Sequence, residues 1–385
     1  MKKIISIIIA ALSANIIIAA GIDFKAGPWV TNVSETEATI MWATQTLSFG
    51  WVEMGEDDGS PFHSSAKPRY YETYAGRRVF GTLHTVKISG LAPGTKYTYR
   101  IVSKKVNEKS SAYDIKYDYT RSSKNFSFKT LDHSAESCSF SIVNDMHFDV
   151  QKYATLMKEV SSSNSDFMVL NGDIVSFSSS LDTLLSAIIK PVEDKTATLP
   201  VIYARGNHET RDLAFQEFGK LFPTSTGELY HTFRQGPVAF VVLDAGEDKP
   251  DINDEYFGTA DFDAYREKEA QWLKDAVKAP EFASAPVKIC IMHIPTLNEK
   301  SSWYTQRRIS EMFTPILNEA GVQLMLCGHE HKHFVVKPHE RGNADYTIIV
   351  NSNKERMDVK ADAHKVSVRI HDVAGTLTHS YDFDF

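Results

Sequence analysis

The chain has 385 residues, 42% of them hydrophobic and 24% charged, with a formal net charge of −7. This is ordinary globular composition, with room for two domains and a large buried core. The charge is uneven: residues 24–131 hold fifteen Lys and Arg against ten Asp and Glu, and residues 132–385 hold twenty-five against thirty-eight, so the acidic part has no arginine-rich stripe for a nucleic-acid backbone.

A nucleic-acid partner is therefore not expected, with only the basic part leaving room for one. At the N-terminus, Met1-Lys2-Lys3 precedes an apolar run from Ile4 to Ile18 and a small-residue exit at Ala19-Ala20-Gly21. This reads as a secretory signal over residues 1–20, too short for a spanning helix, and no second run comes after it. The expected product is soluble, secreted or periplasmic, and without a membrane anchor once the signal is cleaved. Cleavage takes two lysines with it and leaves a charge of −9. Cys138, Cys290 and Cys327 are widely spaced, form no Cys-x-x-Cys pair and read as small core hydrophobes.

From Phe24 to Leu131 the pattern is all-β. Gly27-Pro28-Trp29-Val30 and Ala38-Thr39-Ile40-Met41-Trp42 are short strand-type runs around a turn-rich Asn32 to Thr36, and alternation puts Ile40 and Trp42 on one face. Further on, Leu91-Ala92-Pro93-Gly94-Thr95-Lys96-Tyr97 couples a Pro-Gly turn to alternating aromatics, the setting for a tyrosine hydroxyl that ties a corner between strands. With Trp42, this turn and the closing Phe126-Ser127-Phe128 in order, the segment resembles a fibronectin type III sandwich. Its expected role is that of a packed appendage carrying no chemistry. Tyr70, Tyr71, Tyr74, Arg77, Arg78 and His84 are accordingly not counted as site residues.

From about residue 136 to 385 the pattern becomes apolar strand, helix, apolar strand. Ser139–Val143 leads into Asp145 and His147, Asp166–Leu170 into Gly172-Asp173, and Pro200–Tyr203 into Gly206-Asn207-His208-Glu209. The run ending at Leu243 meets Asp244, the run ending at Met292 meets His293, and the run ending at Cys327 meets Gly328-His329-Glu330-His331. Continuous apolar runs of this kind are buried strands, and ligands of α/β sheets bind beyond such strands' carboxyl ends. Amphipathic helices are expected over Asp263 to Val277 and Ile309 to Ala320, the second kinked at Pro315. The acidic stretch Asp244 to Asp263 reads as a solvated loop.

Any one of these histidines alone reads as a core or loop histidine. Together, Asp145, His147, Asp173, Asn207, His293, His329 and His331 are too many donors for one tetrahedral ion and point to two. A mixed carboxylate, imidazole and amide set suits iron, zinc or manganese, whereas calcium favours oxygen alone.

In this order the motifs resemble those of the calcineurin-like metallophosphoesterases, and the preceding sandwich makes the purple acid phosphatases the nearest branch. The resemblance implies a two-sheet α/β sandwich. It implies that Asp145, His147, Asp173 and His331 hold one metal and that Asp173, Asn207, His293 and His329 hold the other, with Asp173 shared. In the purple branch a tyrosine stands third after the shared aspartate and ligates ferric iron, but this chain has Ser176 there.

Two cations lower the pKa of a shared water and offset the charge of in-line displacement at phosphorus. His208 is then free to contact phosphoryl oxygens or protonate the leaving oxygen, with Glu209 orienting it. The expected function is hydrolysis of small phosphate monoesters by a metal-activated hydroxide. The alternative is a phosphodiesterase or nucleotide hydrolase on the same two metals. A degenerate binding module is disfavoured because no metal position is lost.

Overall fold

The structure is a computed structural model, and it describes residues 24–111 and 113–385. The leader expected over residues 1–20 lies outside them. Two sheets dominate the part after Cys138. The first places Cys138–Val143, Phe167–Asn171 and Val201–Ala204 side by side and parallel, flanked on one side by the antiparallel strands Glu355–Ala361, Lys365–Asp372 and Leu377–Asp384. The second runs in the order His231–Gln235, Val238–Val242, Val287–Ile291, Leu324–Cys327, Thr347–Val350 and Phe334–Val336, with its four middle strands parallel.

Both faces of each sheet are covered, which explains the unbroken apolar runs. Between the sheets Phe140, Phe167 and Phe240 stack edge and face, with centroids 5.0–5.4 Å apart. Outside the first sheet, Met168, Leu170 and Tyr203 pack on Tyr153, Leu184, Ile188 and Phe218. Outside the second, Cys290 and Met325 pack on Leu273, Ile309 and Leu317. The result is a helix, sheet, sheet, helix sandwich, as the fold class expected. All three cysteines are buried and free.

The N-terminal segment is all-β, and its Phe24–Thr31 strand continues the first sheet. It pairs in parallel with Val201–Ala204 through Thr31 and Val201, and Thr31 Oγ1 donates to the Val201 carbonyl at 3.0 Å. The strand Glu37–Glu56 therefore buries two faces rather than one. Ile40 and Trp42 enter the sandwich core, while Met41 and Ala43 join Trp29 against the helices that cover the first sheet. The expected corner is present, with Tyr97 Oη accepting from the Ala92 backbone N–H at 2.8 Å.

Two helical expectations shift slightly. The first runs Phe262–Ala276, and the second divides into Tyr304–Met312 and Thr314–Glu319, with Pro315 opening the second piece where its missing N–H costs nothing. Among the described residues no helix is long and apolar enough to cross a membrane.

Candidate metal centre

The parallel strands of both sheets end on one edge, and the expected donors gather there. Backbone pairing sets their alignment: the N–H groups of Asp145, His147 and Phe148 donate to the carbonyls of Gly172, Asp173 and Ile174 at 3.0, 2.9 and 3.0 Å. This ladder beyond the strand ends holds two donor loops in register. Asp145, His147, Asp173, His329 and His331 all have φ between 48° and 70°. Such left-handed backbone is uncommon outside glycine and asparagine, and its concentration in donor residues marks a site whose surroundings hold it in a strained form.

The motif glycines are there because the backbones approach too closely for a side chain. A Cβ on Gly172 would lie 2.5 Å from His293 Nδ1, and one on Gly328 would lie 2.7 Å from Asp145 Oδ2. At Gly206 it would collide with Asp173.

Three groups of side chains have donor atoms mutually within 4.8 Å: Asp145, His147 and His331; Asp173, His293 and His329; and His147, Asp173 and His208. Asn207 Oδ1 joins the second group, 3.1 Å from His329 Nδ1. Asp173 Oδ2 lies between the sets, 3.2 Å from His293 Nε2 and 3.8 Å from His147 Nε2. All seven expected ligands thus meet in one place.

Their electrostatics fit a cation pair. Asp145 Oδ1 and His293 Nε2 are buried and have no hydrogen-bond partner, which is costly unless something electropositive completes them. His293 Nδ1 faces the Asn171 carbonyl at 2.7 Å, so its hydrogen points there and Nε2 faces the site. Burial, the largest influence on His293, favours its neutral form, but the Asp173 and Asp145 carboxylates overcome it and push the pKa up to about 10. On Asp173 burial likewise opposes ionisation, and the facing His293 outweighs it, holding the carboxyl below its usual range. Two buried carboxylates facing a cluster of imidazoles make a site that a metal pair would neutralise.

His208 stands at the edge of this cluster. Its Nδ1 lies 2.9 Å from the Ser176 carbonyl, which can only accept, and its Nε2 is 3.8 Å from Asp173 Oδ2. Glu209 differs from expectation, because its carboxylate does not orient His208. It is buried, with Oε2 accepting the backbone N–H groups of Asp173 and Gly206, both at 2.9 Å, while Oε1 accepts Ile174 N–H at 2.9 Å and Tyr203 Oη at 2.7 Å. Glu209 therefore braces the backbone that carries Asp173 and Asn207.

The residue on His208 is Arg211, whose Nη1 lies 2.9 Å from Nε2 and 3.1 Å from Nδ1. Arg211 is itself held by Glu247, at 2.7 Å through Nε and 3.1 Å through Nη2. The stretch read as a solvated loop thus has its first turn buried: Asp244, Glu247 and Asp248 are all inside. The reason is their partners, Arg205 for Asp244 at 2.9 Å and Arg211 for Glu247. Sequence reading missed Arg211, Glu247, Asp248 and Trp303. Arg211 alone had a local signal, two positions after Glu209.

Comparison with known proteins matches two stretches of the chain. Residues 139–333 match the family described as Calcineurin-like phosphoesterase, and residues 28–130 match the one described as Purple acid Phosphatase, N-terminal domain. Purple acid phosphatase 21 of Arabidopsis thaliana is 24% identical over 278 residues, covering 69% of this chain and 56% of that protein. Purple acid phosphatase 23 of the same plant is 23% identical over 345 residues, covering 79% and 68%. The chain thus spans little more than half the length of the first relative. The solved purple acid phosphatase from yellow lupin (Lupinus luteus) seeds shares the fold, with a TM-score of 0.67 at 13% identity over 93% of this chain and 74% of that one.

Proposed function

Because the chain belongs to the calcineurin-like phosphoesterase family, which spans just over half of it, we propose that it is a binuclear metal-dependent phosphatase acting on small phosphate monoesters. The observation that carries this reading is the pair of donor groups on either side of Asp173, together with the orphaned Asp145 Oδ1 and His293 Nε2. We assign Asp145, His147, Asp173 and His331 to one ion and Asp173, Asn207, His293 and His329 to the other, the ions being iron, zinc or manganese. Such a pair lowers the pKa of a water and screens the charge of the phosphoryl group.

The chain's own residues supply the rest. Asp173 spans the two positions, and Glu209 braces the loops beneath it. His208 and Arg211 present donors to the phosphoryl oxygens. In the reaction one water oxygen bonds to phosphorus as that water's proton leaves to solvent, the ester P–O bond breaks, and the leaving oxygen takes a proton from His208, which enters the step as imidazolium, giving an alcohol and inorganic phosphate. We further propose that residues 24–131 and 136–385 are the two domains, and that the leader over residues 1–20 places the enzyme outside the cytoplasm.

The test is metal analysis combined with hydrolysis of a monoester, a diester and a nucleotide. Two metals per chain and fastest turnover of the monoester are expected; a faster diester would move the reading to a phosphodiesterase. His208→Ala should keep both metals and lower turnover by about 10²–10⁴. Loss of metal in that variant would make His208 structural instead.

A further inference from the structure

The metal centre opens into a cavity of about 330 Å³, lined on the metal side, its floor, by Asp173, Asn207, His208, His329 and His331 and otherwise by Asp248, Trp303 and Glu330. Trp303 is 51% exposed although it sits next to the buried Ser302. Its backbone is nevertheless fixed. The Trp303 backbone N–H donates to Gln306 Oε1 at 2.9 Å, and Gln306 Nε2 donates to Glu330 Oε1 at 2.7 Å. Thr305 ties the same helix start to the Glu247-Asp248 turn, its N–H reaching the Asp248 carbonyl at 3.3 Å and its Oγ1 the Glu247 carbonyl at 2.7 Å. The buried Arg266 locks this join from behind, with Nη2 on Thr305 Oγ1 at 2.9 Å and Nε on the Ala245 carbonyl at 2.8 Å. Three separate segments are thus held together to present one indole and two carboxylates to the cavity.

An indole face attracts cations and flat rings, and carboxylates attract cations and repel anions. Positive charge is the one ligand property that both kinds of side chain select. Nearby basic side chains have partners of their own: Lys249 pairs with Glu255 at 2.6 Å and more loosely with Asp248 at 3.9 Å, Arg211 holds Glu247 and His208, and Arg307 donates to the Ser302 carbonyl. The acidic excess of residues 132–385 acts in the same direction.

Resting on the phosphatase reading above, we propose that this wall is the leaving-group subsite and that it takes an ammonium group. The substrates are then phosphomonoesters of amino alcohols, with the phosphoryl group on the cavity floor and the cation between Trp303 and Asp248. Substrates whose leaving group carries further phosphates are rejected by Asp248 and Glu330.

The test compares kcat/KM of the metal-loaded protein for phosphocholine, phosphoethanolamine, glycerol 3-phosphate, p-nitrophenyl phosphate and ATP. The ammonium esters should exceed glycerol phosphate by on the order of tenfold, and ATP should be poorest. Trp303→Ala and Asp248→Asn should each lower the ratio of ammonium ester to glycerol phosphate by about tenfold, mainly through KM. Independently of turnover, tetramethylammonium chloride should quench indole fluorescence in the wild type and not in Trp303→Leu. Equal kcat/KM for the ammonium esters and glycerol phosphate would overturn the proposal. So would a Trp303→Ala loss confined to p-nitrophenyl phosphate, which marks a platform for flat rings. If no ester is hydrolysed while two metals are bound, the phosphatase reading fails, and the tetramethylammonium titration still decides the subsite.

Discussion

At the scale of single residues, the centre depends on groups that touch no substrate as much as on those that do. Asp173 faces both donor sets, so Asp173→Asn should lose most bound metal and nearly all hydrolysis; two metals and near-normal turnover in that variant would remove its bridging role. Glu209 gives a sharper case. Both its oxygens are surrounded by donors, and an amide would set an NH₂ against two of them. Glu209→Gln should cost roughly 2–4 kcal/mol of stability and about 10–100-fold in metal affinity, although Glu209 is no ligand. Thermal unfolding and metal titration check this together, and unchanged metal affinity would refute the bracing role. Ser176 stands third after Asp173, where the resemblance to the purple branch implies a metal-binding tyrosine, and its Oγ lies 3.4 Å from His147 Nδ1. Without that tyrosine the metal-loaded protein should show no intense violet-purple absorption, which a visible spectrum settles.

At the scale of elements, the sandwich strands carry a histidine that burial keeps neutral. His84 stacks on Trp42 at a centroid distance of 4.8 Å with its Nε2 3.2 Å from Ser48 Oγ, and a Cβ on Gly50 would strike both rings. Burial lowers its pKa to about 4 from the usual 6.5. Between those values the unfolded chain binds a proton that the folded chain does not, so the contribution is complete above pH 6.5 and is lost as pH falls toward 4. From pH 7 to pH 5 the loss is about 2 kcal/mol. Denaturant unfolding monitored by tryptophan fluorescence should show that drop in the wild type and a flatter pH dependence in His84→Gln. An identical slope in both would exclude His84 as the source.

At the scale of the whole molecule, the N-terminal sandwich shares its core with the α/β part of the chain. Trp29 sits in the helix-side core with its Nε1 donating to the Leu221 carbonyl at 2.9 Å, and Tyr99 Oη donates to the Ala197 carbonyl at 2.8 Å. A buried aromatic of that size removes about 200 Å² from water, on the order of 5 kcal/mol. A chain starting at residue 132 should therefore be poorly soluble or melt well below the full chain, while keeping every candidate ligand. A truncated form as stable as the full chain would show that the sandwich is a detachable appendage.

The sequence by itself determined the strand ends and what stands on them. Apolar runs that stop at Asp145, Asp173, Asn207, His293 and His329 are legible because buried parallel strands need continuous hydrophobicity and because glycines mark where backbones nearly touch. Tertiary structure alone decided which side chains serve that edge from elsewhere. Glu209 stands beside His208 in the chain, yet it turns inward to backbone donors. Arg211 reaches His208 only because Glu247, thirty-six positions on, holds it there. Trp303 and Asp248 come to the same cavity from elements with no local mark of a site. Periodicity and motif spacing report which way a residue faces within its own element, whereas a hydrogen bond between distant loops depends on how the sheets stack.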